Sequence, residues 1–291
     1  MIKQNNLLNN PNIKVIDEKG PFKVLEHQKD LSVNPAFATI EYFAAKMNVR
    51  RRQILVDLEN SSVVLQAGAM QYTMGDVNMK SDVKGVGNFL GKMAKAAVTK
   101  ESAVKPLYSG TGSIVLEPTT KHLLLVDVEE WGKIVLEDGM FLACESTVNH
   151  TVVSRANISS AVLGGEGLFN LALDGKGIAV LESPVPMDEL IVVNLENDQM
   201  KIDGSMAVAW SGSLDFTVEK SSKSLIGSAV SGEGLVNVYR GTGKILLAPT
   251  RSFVNSGTPA DSDSEQAESQ SKAGKVTDAL DAVSSVLDLF S

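Results

Sequence analysis

The residues whose spacing could organise chemistry are three glutamates. Glu101, Glu166 and Glu233 each fall in one copy of a shared block, Ala97-Val-Thr-Lys-Glu-Ser-Ala-Val, Ala161-Val-Leu-Gly-Gly-Glu-Gly-Leu-Phe and Ala229-Val-Ser-Gly-Glu-Gly-Leu-Val. Three copies of one acid on a threefold fold converge on an axis or form a ring, and a carboxylate ring can hold a hard cation. The other reading, taken here, is that each glutamate accepts hydrogen bonds from a glycine-rich turn or faces solvent. The cationic candidates are Arg50, Arg51 and Arg52, in one run, and Lys92 in a glycine-rich stretch. An arginine run at a helix C-terminus either complements the macrodipole, the reading preferred here, or binds an anion. Lys92 fits no phosphate loop, because Gly85 and Gly91 enclose five residues rather than four and Met93 follows the lysine. A dinucleotide fingerprint fails as well, with Leu90 where the third glycine belongs.

The remaining reactive residues are scattered. His27, His122 and His150 are isolated, with no His or Cys at ligand spacing, and no Gly-x-Ser-x-Gly elbow occurs. Cys144 lies in the apolar run Met140-Phe-Leu-Ala-Cys and reads as a core thiol. Accordingly no catalytic residue, no cofactor and no metal ligand is assigned.

The elements that must position these residues come in triplicate. A Gly-x-Gly step opens an apolar run that ends in proline at Gly110-Thr-Gly112 to Pro118, Gly175-Lys-Gly177 to Pro184 and Gly241-Thr-Gly243 to Pro249, at intervals of 65 and 66 residues. Glycines there supply positive φ for a hairpin turn, and each proline marks a strand end where no ladder donor is wanted. Further upstream come Leu65-Gln-Ala-Gly68-Ala-Met70, Leu136-Glu-Asp-Gly139-Met-Phe141 and Ile202-Asp-Gly204-Ser-Met206. Short Val, Ile and Leu runs, such as Ile54-Leu-Val, Leu123-Leu-Leu-Val and Lys244-Ile-Leu-Leu, read as strands. The fold expected is all-β: three tandem β-sandwich modules in a pseudo-threefold arrangement, with short N-terminal, insertion and C-terminal helices.

The segments divide as follows. An extension over 1–50 carries one short strand at Phe22-Lys-Val-Leu25 and an amphipathic helix over 35–48, capped by Asn34 with Pro35 at its first position. Module one spans 51–120 and holds a helical insertion at 85–105, a surface loop or lid; modules two and three span 121–187 and 188–253. A disordered linker over 254–275 leads to an amphipathic helix over 276–291, whose stripe Val276, Ala279, Leu280, Val283, Val286, Leu287 and Phe290 needs a docking surface.

Composition narrows the function classes. The formal charge of −8 and pI near 5.0 oppose a phosphate backbone. The start lacks a signal-peptide apolar run, and no spanning segment stands in the chain, so a cytoplasmic protein with no membrane insertion is expected.

Leu65-Gln-Ala-Gly-Ala-Met70, Gly85-Val-Gly87 with Phe89-Leu-Gly-Lys92, Lys100-Glu-Ser102, Gly110 to Pro118 and Asp138-Gly-Met-Phe-Leu-Ala143 together resemble the altered-inheritance-of-mitochondria twenty-four family over roughly 50–250. The resemblance implies a fold like the tryptophan RNA-binding attenuator protein, with three units fused in one chain. Bacterial members are mostly uncharacterised, and the eukaryotic namesake is linked to mitochondrial inner-membrane organisation. No ligand or catalytic residue carries over. The function expected is a non-enzymatic scaffold or binding protein that forms a homo-oligomer or holds a protein partner, with the C-terminal helix as docking element. The alternatives are nucleic-acid binding by fold analogy, and a small-molecule or metal-dependent protein using the 85–105 insertion.

Overall fold

Alternating and short apolar runs become fifteen strands in the computed structural model, which describes residues 4–80, 105–154, 169–204, 206–220 and 235–250. A hairpin of β1 (Ile13–Lys19) and β2 (Phe22–His27) comes first, then a 3-10 turn (Pro35–Phe37) running into α1 (Ala38–Lys46). β3 (Arg52–Leu65), β4 (Met70–Lys80) and β5 (Leu107–Leu116) follow. Next are β6 (His122–Asp127), β7 (Lys133–Leu136), β8 (Phe141–Glu145), β9 (Val148–Ser154), β10 (Phe169–Gly175) and β11 (Ile178–Ser183). The last group is β12 (Ile191–Asp203), β13 (Ala207–Ser211), β14 (Asp215–Lys220) and β15 (Leu235–Leu247). The strand at Phe22 was legible; β1 beside it, charged and exposed on most positions, was not.

One pairing scheme occurs three times. In the first repeat, 55–58 of β3 pairs with 112–115 of β5, which pairs with 70–74 of β4. The other halves, 61–64, 107–110 and 76–80, form a second antiparallel trio. The middle repeat breaks each long strand in two, giving β6–β11–β8 and β7–β10–β9. The third repeat restores two of the long strands, β12 and β15, and keeps the third split: 191–195 of β12, 243–247 of β15 and β13 form one trio, and 198–203 of β12, 235–241 of β15 and β14 the other.

These repeats do not stay apart as three sandwiches. β3 also pairs with β8, and β7 with β13, so among the described residues the hydrogen-bonded network divides into one eight-stranded and one seven-stranded sheet. The ladder does not run round into a threefold ring either. β4 pairs only with β5 among the described residues, and β12 only with β15.

The Gly-x-Gly steps are not hairpin turns. In β5 and β15 they lie inside one continuous strand, where it passes from one trio to the next. The bend is shared: β3 bulges between Leu58 and Ser61 with Asn60 at φ 48°, and β12 bulges between Leu195 and Asp198 with Asn197 at φ 53°. Each bulge is held by the residue between the glycines, since Thr111 Oγ1 accepts from Asn60 N at 3.1 Å and Thr242 Oγ1 from Asn197 N at 2.9 Å. Gly110 (φ 138°) tolerates no side chain, because a Cβ would run into the Asp76 carbonyl oxygen of β4. The three prolines do follow the ends of β5, β11 and β15.

Burial follows the pattern. One core gathers Leu124, Leu136, Phe141, Cys144, Leu181 and Leu246. A second lies under Phe22, Ile54, Leu65 and Ile114, and a third packs Trp210, Phe216 and Tyr239 with ring centroids 5.0 to 5.5 Å apart. α1 is different. Asn34 caps its entry by accepting from Ala36 N at 2.9 Å, yet no helix residue is buried, and Phe37, Ile40, Phe43 and Met47 are exposed. The expected apolar stripe exists without a surface to cover it. No helix among the described residues is long and apolar enough to cross a membrane.

Candidate functional site

Among the described residues, a cavity of about 410 Å³ lies beside β6. β6 supplies His122 to Asp127, β1 supplies Ile16, Asp17 and Lys19, and Trp131, Met187 and Leu246 complete an apolar wall. The lining also carries Asp17, Lys19, Glu130 and Asp188, charges of both signs. Such a lining suits a small apolar group with a polar end rather than a phosphate.

His122 and Arg52 are among the residues that line this cavity. Burial, helped by the Arg52 charge, lowers the His122 imidazole to about 4, so it is neutral near neutral pH. Arg52 is itself 1% exposed and fully engaged. Its Nη2 lies 2.9 Å from Glu26 Oε2 and donates to Asn48 Oδ1 at 2.8 Å, and its Nε donates to Glu26 Oε2 at 3.0 Å. Burial raises Glu26, but hydrogen bonds from Arg50 and the Arg52 charge outweigh it and hold the carboxyl below its ordinary value.

The other two arginines are engaged as well. Arg50 Nη1 lies 2.7 Å from Glu26 Oε1 while its Nε donates to the Ala45 carbonyl at 3.2 Å, satisfying an end of α1. Arg51 pairs with Asp30 at 2.8 Å; the Ser32 hydroxyl and Arg51 together lower that carboxyl to about 2. The triplet therefore ties the chain after α1 to β2 and to the segment following it. In these positions the guanidinium groups meet the protein's own carboxylates.

Of the residues singled out from sequence, the structure brings together Arg50, Arg51 and Arg52. Glu101, Glu166, Glu233 and Lys92 lie outside the described residues, as do the 85–105 insertion except Lys105, the linker from 254 and the helix over 276–291. Along the chain the three glutamates fall between β4 and β5, between β9 and β10, and between β14 and β15. Cys144 is buried, and burial pushes its thiol up to about 12, which is a core thiol and not a nucleophile. His27 meets Gln53 Oε1 at 2.8 Å. Among the described residues no group of three His, Cys, Asp or Glu side chains could hold a metal ion.

Sequence reasoning missed Glu26 and the cavity. Glu26 had a readable signal, an acid ending the apolar strand Phe22-Lys-Val-Leu with three arginines downstream. The cavity had none, because β1, β6 and the turn at Met187 meet only through the tertiary fold.

Comparison with known proteins agrees with this architecture. An uncharacterised protein of Streptococcus pyogenes serotype M6 is 31% identical over 201 residues, which are 66% of this chain and 79% of that protein. The crystal structure of a Streptococcus pyogenes protein matches 69% of this chain and 88% of its own, at 27% identity and a TM-score of 0.51. A family model described as mitochondrial biogenesis AIM24 matches residues 47–250, which takes in all three repeats and leaves the N-terminal hairpin and the tail outside. The chain belongs to the AIM24 family.

Proposed function

We propose that this protein is a non-enzymatic cytoplasmic scaffold built from three modules of one design, and that it works by joining further copies of itself. Each module is a pair of three-stranded sheets bent at the Gly-x-Gly step, and one rotation relates each to the next. The observation that supports this reading is the repeated pairing between repeats, β3 with β8 and β7 with β13. A contact made twice within a chain is a contact the sequence is built to make. The conspicuous charged side chains add to this, because Glu26, Asp30 and the three arginines are spent on holding the chain together.

The segment 276–291, expected from sequence as an amphipathic helix, is assigned a second docking role between subunits, since such an apolar stripe needs burial to offset ordering. Light scattering on the full chain is expected to give a mass above one chain, and a chain ending at 275 a lower mass. A mass of one chain at every concentration contradicts the proposal. Two alternatives have their own readouts: RNA or DNA binding at low salt, which the charge of −8 disfavours, and a bound metal or small molecule recovered with the purified protein.

A further inference from the structure

The pairing between repeats is the same in every detail that can be compared. Leu65, Val64 and Val63 of β3 stand opposite Ala143, Cys144 and Glu145 of β8. Leu136, Val135 and Ile134 of β7 stand opposite Ala209, Trp210 and Ser211 of β13. Both contacts are clasped at the ends by matching backbone bonds. Gln66 N donates to Leu142 O at 2.7 Å and Ser146 N to Ser62 O at 3.1 Å; Glu137 N donates to Val208 O at 3.0 Å and Gly212 N to Lys133 O at 2.8 Å. The strands on the receiving side also share a bulge against the last strand of their own repeat, at Phe141 to Ala143, at Ala207 to Ala209 and, in β4, at Met70 to Tyr72. With each half of a long strand counted as one strand, every repeat has six, and the rule is that the second strand of one repeat pairs with the third strand of the next.

Applied to the chain's ends, the rule leaves one donor strand and one acceptor strand over. The distal half of β12 is the second strand of the last repeat, and 70–74 of β4 is the third strand of the first. Both already use one edge, on β15 and β5, and neither has a partner strand on the other edge among the described residues. Burial marks the difference. Ala143, Cys144 and Ala209 are fully buried, whereas in the matching stretch of β4 Tyr72, the counterpart of the two alanines, is half-buried, Met70 is 36% exposed, and Gln71 and Thr73 are exposed. Val64 and Val135 are buried, and their counterpart Lys201 is exposed.

We infer that β12 of one copy pairs antiparallel with β4 of a second copy, continuing head to tail the contact that joins the repeats within the chain. The register follows from the two internal contacts: Ile202 opposite Tyr72, Lys201 opposite Thr73 and Met200 opposite Met74, with Asp203 N donating to Gln71 O and Gly75 N to Gln199 O. The partner is a second copy of this chain because β4 and β12 have the two complementary halves of a contact that this sequence already makes. An unpaired edge is a template for another strand, and this one runs from Met70 to Gly75 with no proline and no charge to blunt it. The two surfaces differ, so the contact is heterologous, and repeated it gives a ring if the rotation closes. This surface rests on the scaffold reading above and makes it specific.

The test is a cross-link between two variants. Directly opposed residues in an antiparallel pair bring their Cβ atoms to about 4.5–5.5 Å, close to what a disulfide needs. The native Cys144 is buried and does not compete. Full-length Met200→Cys and Met74→Cys chains are mixed and oxidised, and a covalent dimer of the two is expected. Met200→Cys mixed with Asn78→Cys, four residues along the same strand, is expected to give none. A mixture that stays uncross-linked while light scattering still reports a multimer overturns this interface and leaves the scaffold reading standing. A doubly substituted Met200→Cys, Met74→Cys chain that bridges within itself, with no dimer, overturns it in favour of closure inside one chain. A single-chain mass overturns both.

Discussion

Replacing Glu26 by glutamine tests what holds the N-terminal hairpin to the body. The change is isosteric and removes one charge from a site where Glu26 and Arg52 side chains are 8% and 2% exposed. Arg52 then stays buried with its Asn48 contacts but without a counter-ion, and breaking a buried pair from one side costs about 3–5 kcal/mol. For a domain of this size each kcal/mol lowers Tm by about 2–4 °C, so a fall on the order of 10 °C is expected. Urea denaturation at constant m reads the same loss. Arg50 keeps much of its solvation, being 29% exposed, and contributes little to the penalty. The double change Glu26→Leu with Arg52→Met removes both charges, and its cost should fall short of the sum of the single changes by about 1–3 kcal/mol. A loss below about 1 kcal/mol for Glu26→Gln, or additivity within about 0.5 kcal/mol, would refute the assignment of this pair as a buried clamp. The sign with pH agrees: the Glu26 carboxyl is held below its ordinary value, so its contribution is present above about pH 4.5 and lost as pH falls below it.

Gly110→Ala should destabilise more than Gly68→Ala: both have positive φ, but only at Gly110 does the new Cβ meet the backbone of β4, and comparative urea melts check the order. His122 titrates near 4 in the fold against an ordinary 6.5, so its neutral form contributes stability that is complete above about pH 6.5 and lost as pH falls towards 4. The pH dependence of Tm in that window should flatten in His122→Phe, and an unchanged profile counts against the burial of the imidazole. Cys144 should react with an aromatic disulfide reagent only in denaturant, since its thiol is buried and pushed up to about 12; stoichiometric labelling of the native chain contradicts this.

Much of the fold was legible because strand signals are local. Val63-Val-Leu65, Leu123 to Val126, Phe141 to Cys144 and Lys244 to Leu247 each announce a buried strand by composition, and all are strands. The repeat was legible too, through Gly-x-Gly and proline. What a repeat cannot announce is which strand of one copy meets which strand of another, so the merging of β3 with β8 and of β7 with β13 into two sheets lay beyond reading. The glycines were assigned the right freedom and the wrong place. Thr111 and Thr242 hold bulges on the neighbouring strand, and that need arises only when Asn60 and Asn197 arrive opposite them. At the candidate site, the arginine run was visible, but its acceptors Glu26 and Asp30 lie more than twenty positions upstream across a helix.

The most direct test of the scaffold account is the mass in solution of the full chain beside its Lys201→Pro variant, by light scattering across concentration. The N–H of Lys201 is the counterpart of the Val64 N–H on the edge that faces the next repeat, so proline there blocks the outer edge of β12 and spares its pairing with β15. The account predicts a wild-type mass at a multiple of 31.0 kDa and a fall for the variant with its circular dichroism unchanged. A wild-type chain that stays at 31.0 kDa throughout contradicts it.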